Sequence, residues 1–291
     1  MVTVRAPATS ANLGSGFDVF GAALDRPADV VRVEKAGETT IEMQGAGSEF
    51  IPEDPEKNTA GAVARALDSP ARIRIDKGVR PSSGLGSSAA SAAAVAVGIN
   101  EAYELGYSRE ELVPYAAEGE ALVSGEAHAD NVAPSIMGGF TIATGEGVTQ
   151  IEASIPLVVC LPEMVISTRD ARRVVPRSAE ISQIVECVGR AATLVAGMFR
   201  DDPELVGQGM EDGIVTPARA ELIDGYDDVR ESALESGATG VTVSGAGPAI
   251  IAACQRGQRK TIAGTMLDRF AEHDIEARVY QTEVGQGAEV F

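Results

Sequence analysis

The 291-residue sequence predicts an α+β fold in two domains, residues 1–150 and 151–291, on three observations. The second half orders its elements as strand, helices, strand, strand, helix, strand, which is the split βαβ pattern. The first half places a glycine- and serine-rich loop between an alternating strand and a long alanine-rich helix. Between the halves, Gly145 to Ser154 is polar and forms the best candidate boundary.

Taken in order, Val2 to Arg5, Val30 to Glu34 and Thr40 to Gln44 read as strands. After the loop Pro-Glu-Asp-Pro-Glu-Lys, Asn58 to Leu67 reads as a short helix, and Arg72 to Asp76 alternates as a strand. The glycine loop follows, then a helix from about Ser88 to Leu105. Ser108 with Glu111 has the spacing of a capping box and opens a helix toward Val123. Gly139 to Thr144 closes the first half as a strand. Leu157 to Leu161 is a strand with a buried composition, and helical segments run on to about Ser236. Strands Gly240 to Val243 and Ala249 to Cys254, a helix near Gln258 to Glu272 and strand Ala277 to Val284 complete the chain.

Composition narrows the function. Hydrophobic residues make up 44% of the chain, enough for real cores. The start has no basic region followed by an apolar stretch. The most apolar run, Ala89 to Ile99, falls short of the ~18 residues a membrane span needs. A soluble, cytoplasmic protein without a membrane partner is expected. Cys160, Cys187 and Cys254 lie far apart with no CxxC pair, which fits a reducing compartment and buried thiols. Only two histidines are present, so a histidine-rich metal site is excluded. The net charge of −19 argues against nucleic acid, which demands a basic footprint. Few lysines and many acids, with no acidic tail, read as adaptation to molar salt, where the Debye length shrinks to ~3 Å.

An acidic protein that binds a nucleotide needs a local anion site, and residues 81 to 90, PSSGLGSSAA, are the candidate. Gly84 and Gly86 permit close backbone approach, and the helix that follows offers N–H groups and about half a positive charge. Ser82, Ser83, Ser87 and Ser88 supply hydroxyls to phosphate oxygens or to a hard cation. The Walker A pattern fails for want of a lysine after the last glycine. Gly84 to Ala89 does satisfy G-x-G-x-x-A, so a Rossmann-type oxidoreductase remains an alternative, although no acid-ending strand follows about 20 residues on. A tight turn without a ligand is the third reading.

Three further stretches bear on the choice: APATSANLGSGFDVFG at 6–21, GEALVSGEAHADNVAPSIMGGF at 119–140 and VTVSGAGPAI at 241–250. With PSSGLGSSAA, in this order over nearly the whole chain, they resemble the GHMP superfamily of small-molecule kinases. TSANLGSGFDVFG and HADNVAP are the more specific pair, and are similar to the homoserine kinase family within it. The resemblance implies an N-terminal ribosomal-protein-S5-like domain for ATP and a ferredoxin-like C-terminal domain. It implies ATP, Mg²⁺ and homoserine as partners, with a homodimer as an allowed assembly.

Residue by residue, the resemblance implies that ATP lies against Pro81, Ser82, Ser83, Gly84, Leu85, Gly86, Ser87, Ser88, Ala89 and Ala90, with Asn58 at the adenine. Asn58 equally suits the cap of its helix. Ser88 and Glu120 match the Mg²⁺ ligands. Asn12 and Asp18 match the ammonium site, and His128 and Asn131 the surroundings of the attacking hydroxyl. Asp130 is expected to point elsewhere. Arg172 and Arg219 match the carboxylate site, which suits the bidentate guanidinium fork, and Thr168 lies near it. Gly245 and Gly247 belong to the late glycine loop, where Ala246 stands at a position that relatives often fill with serine. A kinase acting on mevalonate or shikimate is the nearest alternative.

Overall fold

The computed structural model describes residues 1–124 and 128–291; Gly125 to Ala127, inside the motif at 119–140, lie outside it. The first part runs β1 (Val2–Ala11), β2 (Phe20–Lys35), β3 (Thr40–Gly45), α1 (Thr59–Ala66), β4 (Ala71–Lys77), α2 (Ser87–Tyr103), α3 (Arg109–Ser124), α4 (Ala129–Met137), β5 (Phe140–Thr144) and β6 (Gly147–Ile151). The second runs β7 (Pro156–Pro162), α5 (Thr168–Arg173), α6 (Ile181–Arg200), α7 (Pro203–Gly209), α8 (Val215–Ala220), α9 (Tyr226–Glu235), β8 (Ala238–Val243), β9 (Ile250–Cys254), α10 (Arg259–Glu272), β10 (Ala277–Glu283) and β11 (Glu289–Val290).

The first sheet has the order β11-β1-β2-β4-β3, with β5 and β6 continuing from the upper half of β2. Its pairs are antiparallel except β3 with β4. The second sheet has the order β10-β7-β9-β8, all antiparallel, which is the ferredoxin-like arrangement. The glycine loop therefore follows a strand of a mixed sheet rather than opening a doubly wound parallel one. The Rossmann alternative loses its scaffold.

Alternation decides what β4 buries. Ala71, Ile73 and Ile75 face the core while Arg72, Arg74 and Asp76 face out, and the same register turns Lys77 inward. Over this face lies α2, whose residues Ala89 to Ala96 are all buried; six of these eight are alanines, and their methyl side chains let the helix sit close on β1 and β2. Each buried carbon group of that size adds about 0.8 kcal/mol. A capping box holds the start of α3: Ser108 Oγ accepts from the Glu111 N–H at 3.3 Å, and the Glu111 carboxylate accepts from the Ser108 N–H at 2.8 Å.

Three features differ from expectation. The polar stretch Gly145 to Ser154 contains β6, an exposed strand hydrogen-bonded to β5. Its polarity reflects an edge strand with no buried residue rather than absence of structure. Strand β1 extends to Ala11 and β2 begins at Phe20, so the loop of residues 12–19 is suspended between strand ends. The last strand, β11, returns to pair with β1 of the first sheet. Cys160 and Cys254 are buried as expected, whereas Cys187 is half-buried. No described helix is long and apolar enough to cross a membrane.

Candidate active site

Where the two sheets approach, a cleft of about 360 Å³ is lined by the phosphate-loop candidate, the 12–18 loop, the start of α4, the start of α5, α8 and the late glycine loop. The sequence segments singled out above thus converge on one place.

At one end, Gly86 caps α2 in the left-handed region (φ 61°). A Cβ there would lie 2.0 Å from Thr9 Oγ1 and 2.9 Å from Asn131 Oδ1, so only glycine lets these three segments meet. Gly84 packs on the late loop, where a Cβ would lie 2.5 Å from the Ser244 carbonyl oxygen and 2.8 Å from that of Gly247. The first N–H groups of α2 have no acceptor within the helix and face an anion position.

The four serine hydroxyls differ in their partners within the protein. Ser83 is buried and its Oγ accepts from the Leu85 N–H at 3.3 Å; Ser87 Oγ donates to the Val79 carbonyl at 2.7 Å. These two hydroxyls brace the loop. Ser82 is exposed at the rim with a left-handed backbone, and Ser88 Oγ donates to Glu120 Oε2 at 3.0 Å. Leu85, Ala89 and Ala90 turn their side chains into the cores, because the helical period rotates them away from the cleft. Pro81 lines the cleft near Asn58. Asn58 caps α1, its Oδ1 accepting from the Ala60 N–H at 2.9 Å while its Nδ2 donates to the Pro52 carbonyl at 2.7 Å.

Lys77 lies beneath the loop, and sequence reasoning missed it. It is 3% exposed, ion-pairs with the buried Asp29 and donates to the Ser87 carbonyl at 2.7 Å and Ser91 Oγ at 2.9 Å. Asp29 also accepts from the N–H groups of Gly78 and Val79, both at 3.0 Å. Desolvation lowers the Lys77 pKa, opposed by Asp29. Strand alternation continued to Lys77 was the available signal.

Burial raises the Glu120 carboxyl to about 7, with the Ser88 hydrogen bond pulling the other way and Asp130 adding to the rise. Burial also raises Asp130 to about 6, helped by Asp18 and opposed by His128. Contrary to expectation, Asp130 lines the cleft: the first turn of α4 carries both it and Asn131 to the wall, and Asn131 Nδ2 lies 3.4 Å from Asp130 Oδ1. Asn131 Oδ1 accepts from Thr9 Oγ1 at 2.8 Å. Thr9, on β1 and fully buried, is a second site residue that sequence reasoning did not single out, although it opens the stretch TSANLGSGFDVFG.

At the other end, Asn12 and Asp18 both occupy the left-handed region, at φ 71° and 56°. Asn12 braces two loops: its Oδ1 accepts from the Asp18 N–H and its Nδ2 donates to the Gly245 carbonyl, each at 3.0 Å. Asp18 ion-pairs with Arg172, whose Nη2 lies 2.8 Å from His128 Nε2. A guanidinium only donates, so in this contact the histidine nitrogen is the acceptor. Arg219 is 5% exposed and donates to the Gly245 and Ala171 carbonyls. Desolvation lowers its pKa and Asp18 opposes that. Both guanidinium groups sit on the Phe17 ring, with Arg172 at 5.3 Å and Arg219 at 5.0 Å from its centroid. Phe17 is a third residue that went unpredicted. Thr168 opens α5 and lines the cleft, as do Gly245 and Gly247.

Among the described residues no group of three or more His, Cys, Asp and Glu side chains forms a ready metal cage. Ser88 and Glu120 offer a hydroxyl and a buried carboxylate that gains from a counter-charge. This pair fits Mg²⁺, which takes one or two protein oxygens beside phosphates and keeps several waters.

Comparison with known proteins bears on the same cleft. Residues 57–139 match the family model of the GHMP kinases N-terminal domain, and residues 194–272 that of the GHMP kinases C-terminal domain. The chain is 73% identical to a homoserine kinase of Haloarcula marismortui and 72% identical to one of Natronomonas pharaonis, each match covering 100% of both chains. A homoserine kinase structure from Cytophaga hutchinsonii superposes with a TM-score of 0.92 at 36% identity, covering 100% of this chain and 97% of that one. The L. major mevalonate kinase structure, at 17% identity and TM-score 0.74, shares the fold.

Proposed function

Since the chain belongs to the GHMP kinase family, we propose that it uses ATP to phosphorylate the side-chain hydroxyl of L-homoserine, giving O-phosphohomoserine for threonine biosynthesis. One observation carries the substrate assignment. The cleft has an anion-binding end at α2 and, opposite it, an end holding both a carboxylate and two guanidinium groups. Homoserine is a zwitterion, so its ammonium suits Asp18 and its carboxylate suits Arg172 and Arg219. Mevalonate or shikimate would bring a carboxylate to the arginines but no ammonium to Asp18, whose cationic partner would then be Arg172 alone.

In this reading the phosphates of ATP lie on the N–H groups from Gly84 to Ser88, with the base toward Asn58. Ser88 and Glu120 would hold Mg²⁺, which supplies charge neutralisation to the phosphates. Asn131, fixed through Thr9, orients the homoserine hydroxyl between the two ends. The hydroxyl oxygen bonds to the γ-phosphorus as the bond to ADP breaks, and the hydroxyl proton leaves with the transferred group. Phosphoryl transfer has a loose transition state, so positioning and charge stabilisation dominate and a strong base is not required. His128 Nε2 is already engaged by Arg172 and serves to position that arginine.

Release of ADP across homoserine, threonine, mevalonate and shikimate tests the reading. Turnover on homoserine well above the others supports it; turnover on a substrate without an ammonium group, and none on homoserine, would overturn it.

A further inference from the structure

A second cavity, of about 940 Å³, is lined by α6, α8 and α9. Helix α8 stands between it and the catalytic cleft: Thr216, Pro217 and Ala220 line the cavity, and Arg219 lines the cleft. Met210, Ile223 and Val241, all buried, give the cavity an apolar lining. Seven acids and two arginines stand around it. Most are already engaged. Arg190 pairs with Glu186 and Glu211, His273 pairs with Asp228, and Asp212 accepts from the N–H groups of Ile214, Val215 and Thr216. Glu221, Asp224 and Asp227 make no ion pair among the described residues, and neither does Arg230, so the acids remain in excess. On a chain of net charge −19, exposed acids alone mark nothing more than a solvated surface. Tyr226 sets this place apart. It lines the same cavity, is 4% exposed, and its hydroxyl has no hydrogen-bond partner among the described residues. Buried polar groups in folded proteins are almost always hydrogen-bonded, so this hydroxyl lacks a partner that a ligand can supply.

We propose that this cavity binds a linear polyamine, with one ammonium group on the Tyr226 hydroxyl and others on Asp224, Asp227 and Glu221. Three observations select this chemistry. The excess of acids calls for a cation. Among the described residues no three His, Cys, Asp or Glu side chains lie close enough to hold a single metal ion, so the positive charges must be spaced apart. The apolar lining suits the methylene segments that space them. Burial raises the Tyr226 phenol to about 12, so it stays a neutral hydroxyl whose oxygen can accept from an ammonium group.

Isothermal titration calorimetry of the intact protein with spermidine tests the proposal. The titration is run in molar KCl, where attraction to scattered exposed acids is screened beyond ~3 Å. The wild type should bind spermidine saturably, one per chain. Tyr226→Phe keeps the ring and removes a hydroxyl that bonds nothing in the protein, so the fold should be untouched. It should weaken binding at least about tenfold, as loss of a hydrogen bond to a charged group does. Asp224→Asn combined with Asp227→Asn should weaken it to a similar degree. Glu146→Gln, in the turn between β5 and β6, should leave it within about twofold. A wild type without saturable binding would overturn the proposal. So would Tyr226→Phe and the double variant both binding as tightly as the wild type, or Glu146→Gln losing as much as they do.

Discussion

Asp18 and Arg172 form an ion pair across the cleft, and the second terminal nitrogen of the same guanidinium lies 2.8 Å from His128 Nε2. In the proposed reading these are the two charges a zwitterionic substrate would engage, and here they are paired with each other. Hydrogen bonds to charged groups contribute about 1.5–3 kcal/mol. Asp18→Asn should accordingly raise the KM for homoserine roughly 10- to 100-fold while the KM for ATP stays nearly constant, as steady-state kinetics in both substrates will read. An unchanged homoserine constant would remove Asp18 from the ammonium site.

Phe17 carries Arg172 and Arg219, the two arginines proposed for the substrate carboxylate, on one ring. The Arg172 contact is half-exposed, at about 0.5–1 kcal/mol, and the Arg219 contact is buried, at about 2 kcal/mol. Together they correspond to roughly a 70- to 160-fold change in binding. Phe17→Leu should raise the homoserine KM by that amount with little change in kcat, and Phe17→Tyr should restore it. Equal loss in both variants would point to packing rather than to the ring.

The raised Glu120 carboxyl has a definite pH signature. Burial raises it to about 7, against an ordinary glutamate near 4.5. From about 4.5 to 7 the folded state keeps a proton that the unfolded chain has released. This group's contribution to stability therefore falls as pH rises through that window and is level above it. A divalent cation competes with the same proton. The melting temperature with MgADP minus that with ADP should grow from pH 6 to pH 8, and Glu120→Gln should abolish the growth. An increment indifferent to pH, or retained in the variant, would contradict the metal assignment.

Asn131 and His128 separate in kcat. Loss of a transition-state contact costs a factor of ten for each ~1.4 kcal/mol, and Asn131→Ala should lose at least that. His128→Asn should keep most of kcat and retain the wild-type fall at low pH, because Asp130, raised to about 6, titrates there in both. A limb near neutrality that disappears in His128→Asn with a collapse of kcat would make the histidine a general base.

Much of this site was legible because its motifs are local. PSSGLGSSAA, TSANLGSGFDVFG and HADNVAP are each short runs whose glycines and polar residues have local jobs, and the Ser108–Glu111 box is a four-residue pattern. What escaped depends on partners far away in the chain. Thr9 meets Asn131 across 122 positions, Lys77 meets Asp29 across 48, and Phe17 takes its meaning from Arg172 and Arg219. Asp130 was misplaced for a related reason. Adjacent side chains in a helix diverge by 100°, yet the first turn of α4 enters the cleft end-on and both residues reach its wall. Strand β6 was hidden because an edge strand with no buried residue has the composition of a loop.

The division of the cleft into an ATP end and a zwitterion end is tested most directly at Arg219, whose guanidinium is buried between the late glycine loop and α5. Arg219→Lys keeps the charge and removes the planar fork. Both Michaelis constants should be measured for this variant in molar KCl. The homoserine constant should rise roughly 10- to 100-fold, and the ATP constant should stay within about twofold. A shift in the ATP constant with the homoserine constant unmoved would contradict the division.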